Sequence, residues 1–331
     1  MTKINSDSSY GWSKTFGGGG KDEGYSVAVD SSGNIYLTGY FESTVDFDPG
    51  TGTDNKTSNG SYDIFLTRIN SDGSYGWTKA FGGTSDNRGY SISTDSNDNV
   101  YITGVFFGTA DFDPGTGTDN KTSNGSYDIF LTKINSDGAY GWTKTFGGTG
   151  SDGGNSVATD SSGNIYVTGW FNNTVDFDPG TGTDNKTSNG ILDIFVTRIN
   201  ADGSYGWTKT FGGTGIDEGY SVAVDSSGNT YITGWFNDIV DFNPGTGTDN
   251  KTSNGNDDIF LTRINADGSY GWTKTFGGTG GDAGFSVAVG LSGDIYLTGY
   301  FGDTVDFDPG TEFDNKTSNG SYDIFLIKMT P

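Results

Sequence analysis

The 331-residue sequence contains no cysteine and no histidine. The first absence excludes disulfides and thiolate metal sites. The second removes the usual zinc ligand, the usual general base and any Ser-His-Asp arrangement. No apolar run approaches the length of a membrane span. Basic residues are scarce, 18 against 42 acidic ones, for a net charge of −24. That balance argues against nucleic acid and against anionic membrane surfaces, both of which attract basic patches. It suits cations. Hydrophobic residues make up only 31%, yet aromatics reach 15%, which disordered chains do not. Glycine for turns, with Tyr, Phe and Trp for short strands, is an all-β composition.

What is present is a repeat. The unit Asp63 to Tyr127 is 65 residues long, and Asp128 starts it again. The Asp of Asp-Ile-Phe falls at Asp63, Asp128, Asp193, Asp258 and Asp323. Tyr-Gly-Trp keeps the same step, with Trp12, Trp77, Trp142, Trp207 and Trp272. Five near-identical units without insertion set the frame for every other reading.

Each unit carries four strand signals. In the first they are Ser26 to Asp30, Ile35 to Phe41, Asp63 to Asn70 and Tyr75 to Phe81. Ser31-Ser32-Gly33-Asn34 and Ser71-Asp72-Gly73-Ser74 are tight turns. Glu42 to Tyr62 reads as a long polar loop, and Gly17 to Gly24 as a glycine-rich one. In Asp63 to Asn70, Ile64 and Leu66 point one way while Phe65 and Ile69 point the other. Both faces of the sheet therefore expect burial. Four-stranded sheets buried on both faces and repeated about an axis describe a β-propeller. The expectation is one domain over residues 1–331, a five-bladed propeller with four antiparallel strands per blade. Tyr10 to Phe16 is expected to supply the outer strand of the blade containing Asp323 to Met329, closing the ring and hiding two sheet edges. Met1 leads straight into mid-repeat sequence, so the chain reads as a mature domain excised from a longer one.

Asp-Ile-Phe-Leu-Thr-Arg-Ile-Asn, Gly-Trp-Thr-Lys-Thr-Phe-Gly-Gly, Ser-Val-Ala-Val-Asp-Ser-Ser-Gly-Asn-Ile-Tyr-Leu-Thr-Gly and Val-Asp-Phe-Asp-Pro-Gly together resemble the bacterial SBBP-type β-propeller repeat, akin to NHL repeats. The resemblance covers nearly the whole chain. It implies a propeller from a secreted or cell-surface bacterial protein, and no particular reaction. The family name suggests seven blades, from which five units depart.

The long loop reads Asp46-Phe47-Asp48-Pro49-Gly50-Thr51-Gly52-Thr53-Asp54. Asp-x-Asp with glycines and a later Asp resembles loops that give calcium six to eight oxygens, though without the terminal Glu of an EF-hand. The candidate ligands are Asp46, Asp48 and Asp54, then Asp111, Asp113 and Asp119, then Asp176, Asp178 and Asp184. Asp241, Asn243 and Asp249 follow, then Asp306, Asp308 and Asp314. The competing reading is a turn whose amides are capped by Asp and Asn. Asp22 in the glycine-rich loop, with Trp170 and Trp235 at positions where other units carry Tyr or Val, are the candidate ligand contacts. The regular Trp of Tyr-Gly-Trp reads as packing.

Catalysis needs different roles gathered at one place. The differences between units, such as Lys21, Arg88, Glu218 and Glu312, look scattered, and no catalytic residue is expected. The reading is a non-catalytic binding or scaffold module, with Ca2+ as the expected stabilising ion and a protein or glycan partner at a cell surface. A five-site lectin is the alternative. Nucleic acid and membrane insertion are not expected.

Overall fold

The computed structural model of the protein describes residues 1–330, and among them every regular element is a β-strand. The chain divides into two compact units. One comprises Met1–Ser123 with Phe130–Lys144; the other comprises Asn124–Ile129 with the chain from Thr145 onward.

Both units are made of one recurring antiparallel sheet. In the first, Glu23–Val29, Ile35–Phe41, Asp63–Ile69 and Tyr75–Gly83 lie side by side in that order. In the second, Gly153–Thr159, Ile165–Phe171, Asp193–Ile199 and Tyr205–Phe211 do the same. Glu218–Val224, Thr230–Asp241, Asn250–Ile264 and Tyr270–Phe276 repeat it. The β-branched and aromatic residues of these segments favour the pleated, half-buried state. Their turns are fixed by side chains. Gly73 takes φ of 85°, a left-handed conformation glycine adopts without strain, while Asp72 Oδ1 accepts the Ser74 amide at 2.8 Å. Asp30 holds the other hairpin by accepting the Ser32 and Asn34 amides and the Asn34 side chain.

Burial on both faces is as the alternation implies. Ile64, Leu66 and Phe81 pack with Ile92, Ile102, Phe106, Phe112 and Phe130 of the next repeat. The same set recurs in the second unit, where Ile194, Val196 and Phe211 meet Val222, Ile232, Phe236, Phe242 and Phe260. On the other face, Phe65 packs with Phe41, Val45 and Phe47.

Two expectations need correction. The stretch Glu42 to Tyr62 is not an open loop. Thr44–Asp46 pairs with Asn55–Thr57 as a two-stranded ribbon, and Val45 and Phe47 are buried. Phe47 anchors the ribbon, edge-on to Phe41 at 5.3 Å and tilted on Phe65 at 5.1 Å. In the next repeat the matching ribbon strand Thr109–Asp111 also pairs with Gly82 and Gly83, tying one repeat to its predecessor.

The second correction concerns the N-terminus. Tyr10–Ser13 pairs with Thr2–Ile4, and the sheet holding Asp323–Met329 has three strands. The cause lies in the sequence register. Thr2-Lys3-Ile4 corresponds to Thr67-Arg68-Ile69, the end of a third strand. The Lys3↔Trp12 and Ile4↔Tyr10 pairs, with a shift between them, repeat Arg68↔Trp77 and Ile69↔Tyr75. A local hairpin partner therefore takes the edge that ring closure would have used.

Candidate functional site

The acidic ribbon turn comes first. Asp46 Oδ1 accepts the Asp48 amide at 3.1 Å and the Asp54 amide at 2.9 Å. Asp48 Oδ1 accepts the Gly50 amide at 2.8 Å. Asp54 is held by Lys56 at 2.6 Å and by the Tyr75 hydroxyl. Those contacts favour its carboxylate form against burial, and its pKa is lowered on balance. The arrangement recurs at Asp111, Asp113 and Asp119 with Lys121, and at Asp176, Asp178 and Asp184 with Lys186. It recurs again at Asp306, Asp308 and Asp314 with Lys316. In the remaining repeat Asn243 replaces the middle Asp, and its Oδ1 still accepts the Gly245 amide at 2.9 Å, between Asp241 and Asp249. The turn thus uses an acceptor oxygen rather than a charge. Among the described residues no three acidic groups converge into a ligand set.

Asp22 is a clamp. Its carboxylate accepts the Gly18 amide at 2.7 Å and the Glu42 amide at 3.3 Å, tying the glycine-rich loop to the end of the second strand. Its counterparts Asp152, Asp217 and Asp282 do the same job fully buried. Each has a second buried carboxylate for a neighbour: Asp128 raises repulsion with Asp152, Asp193 with Asp217, and Asp258 with Asp282. Burial, then, pushes Asp128 up to about 7, Asp217 to about 7 and Asp258 to about 7, with like charge adding to it. Oδ1 of Asp63, Asp128, Asp193 and Asp258 has no hydrogen-bond partner among the described residues. These carboxylates lie directly over glycine: a Cβ on Gly147 would sit 2.1 Å from Asp128 Cγ. In the other repeat, Asn87 stands where Asp152 stands. Its amide offsets part of the upward push that burial gives Asp63.

The third feature was not visible as a motif. Lys21 and Arg88, which look scattered in the sequence, both lie over Tyr40, at 5.6 Å and 5.1 Å. Arg88 also covers Tyr62 at 5.1 Å and is held by both oxygens of Asp86. Tyr25, Tyr40, Tyr62 and Tyr90 form a chain of ring contacts between 4.7 and 5.8 Å. Glu23 accepts from Lys21 and the Tyr25 hydroxyl, which hold its pKa down to about 2. The second unit builds a corresponding ladder from Tyr220, Phe285, Tyr300 and Tyr322, with contacts between 4.7 and 5.3 Å. Trp235 and Glu218 lie beside Tyr220 there. Trp170 is half-buried over Gly153, and Trp235 is half-buried too.

These contacts give meaning to the differences between repeats. The Tyr40 position is filled by Tyr, Val105, Trp170, Trp235 and Tyr300. The Glu23 position carries Arg88, Gly153, Glu218 and Ala283, and the Tyr62 position carries Tyr127, Leu192, Asp257 and Tyr322. All are at one end of the sheet, where the first strand starts, the second ends and the third begins. Comparing repeats column by column would have exposed them; reading each difference alone did not.

Comparison with known proteins fits this fold. The SBBP β-propeller repeat matches residues 11–40, 141–174 and 206–237. A WD repeat-containing protein of Acanthamoeba polyphaga mimivirus is 26% identical over 266 residues, 70% of this chain and 19% of that protein. The regulatory protein FlaEY of Caulobacter vibrioides is 28% identical over 244 residues, 69% of this chain and 24% of that protein. The chain spans about a fifth to a quarter of the length of these relatives. The matched stretches, the recurring sheet and the absence of helix among the described residues agree: the chain carries SBBP β-propeller repeats at these three places.

Proposed function

We propose that the chain is a non-catalytic binding or scaffold module of a secreted or cell-surface protein, forming one propeller domain. One observation carries this reading. Repeats that keep their cores and turns nearly constant vary at one end of the sheet, on a ladder of aromatic rings rimmed by charge. Tyr40 lies buried beneath the ladder, while exposed Tyr25 and Tyr322 and half-buried Trp170 and Trp235 supply contact area at little entropic loss, and the charges around them set specificity. Loops and strand ends on a rigid scaffold are the usual place for recognition. The partner is a protein or a glycan.

The test is direct. The chain, and a variant carrying Tyr25→Ala with Arg88→Ala, are probed against glycan arrays and against immobilised cell-surface protein fractions. The reading expects a ligand bound by the parent and lost in the variant. A ligand held equally by both would place recognition elsewhere. A turnover abolished by one acidic substitution would replace the reading with an enzyme.

A lectin is the second reading, favoured by Trp170 and Trp235, which offer faces for sugar stacking. Binding confined to glycans and lost in Trp235→Ala separates it from a protein partner. Calcium enters as a stabiliser of the ribbon turn. Asp46 and Asp48 each carry a second carboxylate oxygen beyond the one that caps, and the net charge of −24 favours cations. Asp54 is already neutralised by Lys56, so the site is weak, in the range of about 10⁻⁴–10⁻³ M. A melting temperature equal in calcium and in chelator removes calcium from the reading.

A further inference from the structure

We infer that the second unit carries two sockets for the carboxylate side chains of an acidic protein partner, one at Ser161 with Arg198 and one at Ser226 with Arg263. Both lie where the first strand of a sheet ends and the second begins, at the end opposite the aromatic ladder. They do not depend on the ladder. The first unit shows the ligand class, because one of its own repeats supplies it. Ser31 opens the turn after a first strand, and its amide and its hydroxyl each donate to the Asp98 carboxylate at 2.8 Å. Asp98 belongs to the same turn of the following repeat. It holds φ of 62°, a left-handed conformation that costs a non-glycine residue free energy, and the paired hydrogen bonds offset that cost.

In the second unit glycine replaces that aspartate and the receptor is kept. Gly228 and Gly293 stand in the Asp98 position, with φ of 84° and 86°. Ser161 and Ser226 stand in the Ser31 position, and among the described residues neither serine has a partner for its amide or its hydroxyl. Beside Ser161 and Gly228 lies a cavity of about 210 Å³, and beside Ser226 and Gly293 one of about 360 Å³. The first is smaller than the roughly 300–1,000 Å³ of sites for whole small molecules and suits one side chain. Arg198 lines the one and Arg263 the other. Among the described residues neither guanidinium has an ion pair, and the buried Nε of each has no acceptor. An unpaired guanidinium beside free N–H and O–H donors is a receptor for carboxylate.

The negative charge nearby does not forbid this. Asp160 lines the first cavity, but its carboxylate is turned into its own hairpin, accepting the Ser162 and Asn164 amides, the Asn164 side chain and the Tyr166 hydroxyl. Asp225 is held the same way at the second. In the first unit Asp30 makes the same contacts with Ser32, Asn34 and Tyr36, and Asp98 is still seated on Ser31 beside it. Arginine is the counter-charge in both units. Burial raises the Tyr36 pKa, Arg68 opposes the rise and Asp98 adds to it, so both charges lie near that hydroxyl. At Tyr166 burial and Asp160 raise the pKa and Arg198 opposes them, with no counterpart of Asp98. The partner's side chain takes the Asp98 place, one carboxylate oxygen on the serine amide and the other on its hydroxyl.

The experiment titrates the full chain with the peptide acetyl-Gly-Asp-Gly-amide and with its Asn counterpart, following the backbone amide signals of Ser161 and Ser226 by NMR. The Asp peptide should shift both saturably, and the Asn peptide should bind about tenfold more weakly, as the loss of a charged hydrogen-bond acceptor implies. Gly228→Asp places the chain's own carboxylate in the first socket; it should abolish the shift at Ser161 and leave that at Ser226. Arg198→Gln should weaken binding at Ser161 about tenfold. Asp98→Gly should open a third socket, so that Ser31 responds to the peptide as it does not in the parent, a gain that misfolding cannot produce. No saturable shift in the parent, equal binding of the two peptides, or a silent Ser31 in Asp98→Gly overturns the inference. Acetate or glucuronate binding as tightly as the Asp peptide would make these sites for any small anion or for an acidic glycan, and would overturn the protein partner.

Discussion

Asp128 with Asp152, and Asp63 with Asn87, are one site drawn twice. The backbone is the same in both: the Asp152 amide donates to Tyr127 O at 2.7 Å, the Asn87 amide to Tyr62 O at 2.9 Å. Asp152 and Asn87 are both completely buried. The side-chain groups differ, a carboxyl in one and a carboxamide in the other, and their contacts differ with them: Asp152 accepts the Gly148 and Asn172 amides, whereas Asn87 Nδ2 donates to Tyr62 O and Ser85 O. The position therefore calls for a buried polar group of that shape and does not call for charge. Two buried carboxylates side by side resist ionising together, whereas beside Asn87 burial still raises Asp63 and the amide works against it.

The largest expected effect is a pH dependence of the whole chain opposite to that of most acidic proteins. Asp128, Asp217 and Asp258 have folded pKa values of about 7 against an ordinary 3.8. The folded state then binds more protons than the unfolded one between those values, so stability falls as pH rises through the window. It is fully present below about pH 4 and lost above about 7, on the order of 4 kcal/mol per pair at about 1.4 kcal/mol per pKa unit. Denaturant midpoints measured from pH 4.5 to 8 should decline; a flat or rising profile would mean that the pairs ionise freely. Asp54 and its counterparts, with lowered pKa values, work the other way and protect only above their own range.

Asn87→Asp converts the odd site into the common one. It should destabilise by about 1–3 kcal/mol at pH 8 and far less at pH 4.5. An equal loss at both would point to packing rather than charge. Asp152→Asn runs the exchange backwards. A gain of about 1 kcal/mol at pH 8, with a shallower pH profile, is expected, since the new amide keeps one acceptor for the Gly148 or Asn172 amide. Chemical melts at both pH values read it. Lys56→Gln, at a part-exposed ion pair away from the buried carboxylates, should change stability by less than about 0.5 kcal/mol and leave the profile unaltered. A larger change there would show that general surface charge, not the buried pairs, governs the pH response.

Much of this was legible in the sequence, and the failures have physical causes. The strands around Ile35 to Phe41 and Asp63 to Asn70 follow from alternation and from turn residues, and they stand where expected. The ribbon of Thr44–Asp46 and Asn55–Thr57 was missed because three-residue strands carry no periodicity. Their pairing depends on Phe47 finding Phe41 and Phe65, a contact across 18 positions or fewer that composition does not announce. The closure by Tyr10 to Phe16 was misread because Thr2-Lys3-Ile4 is too short to look like a strand, yet it needs only to meet an adjacent hairpin partner. The capped turns at Asp46 and Asp30 were foreseen as one of two readings, since Asp caps amides wherever chains turn. The burial of Asp128 and Asp152 was not. An Asp at a strand start reads as a solvated cap, and only the glycine beneath it, stripped of Cβ, lets the carboxylate sink.

The uniformity of the junctions inside each unit has a consequence for how such a chain changes over generations. The boundaries within each unit join the same two faces, Ile with Leu or Val against Phe, Phe and a β-branched residue. Loss or duplication of a whole 65-residue block by recombination between the near-identical coding segments would leave each new boundary already fitted. Length is then free to drift by whole repeats while packing stays intact. A recombination that cuts inside a block at equivalent positions is equally harmless, so the varied ladder residues can be reshuffled among repeats without disturbing what lies beneath them.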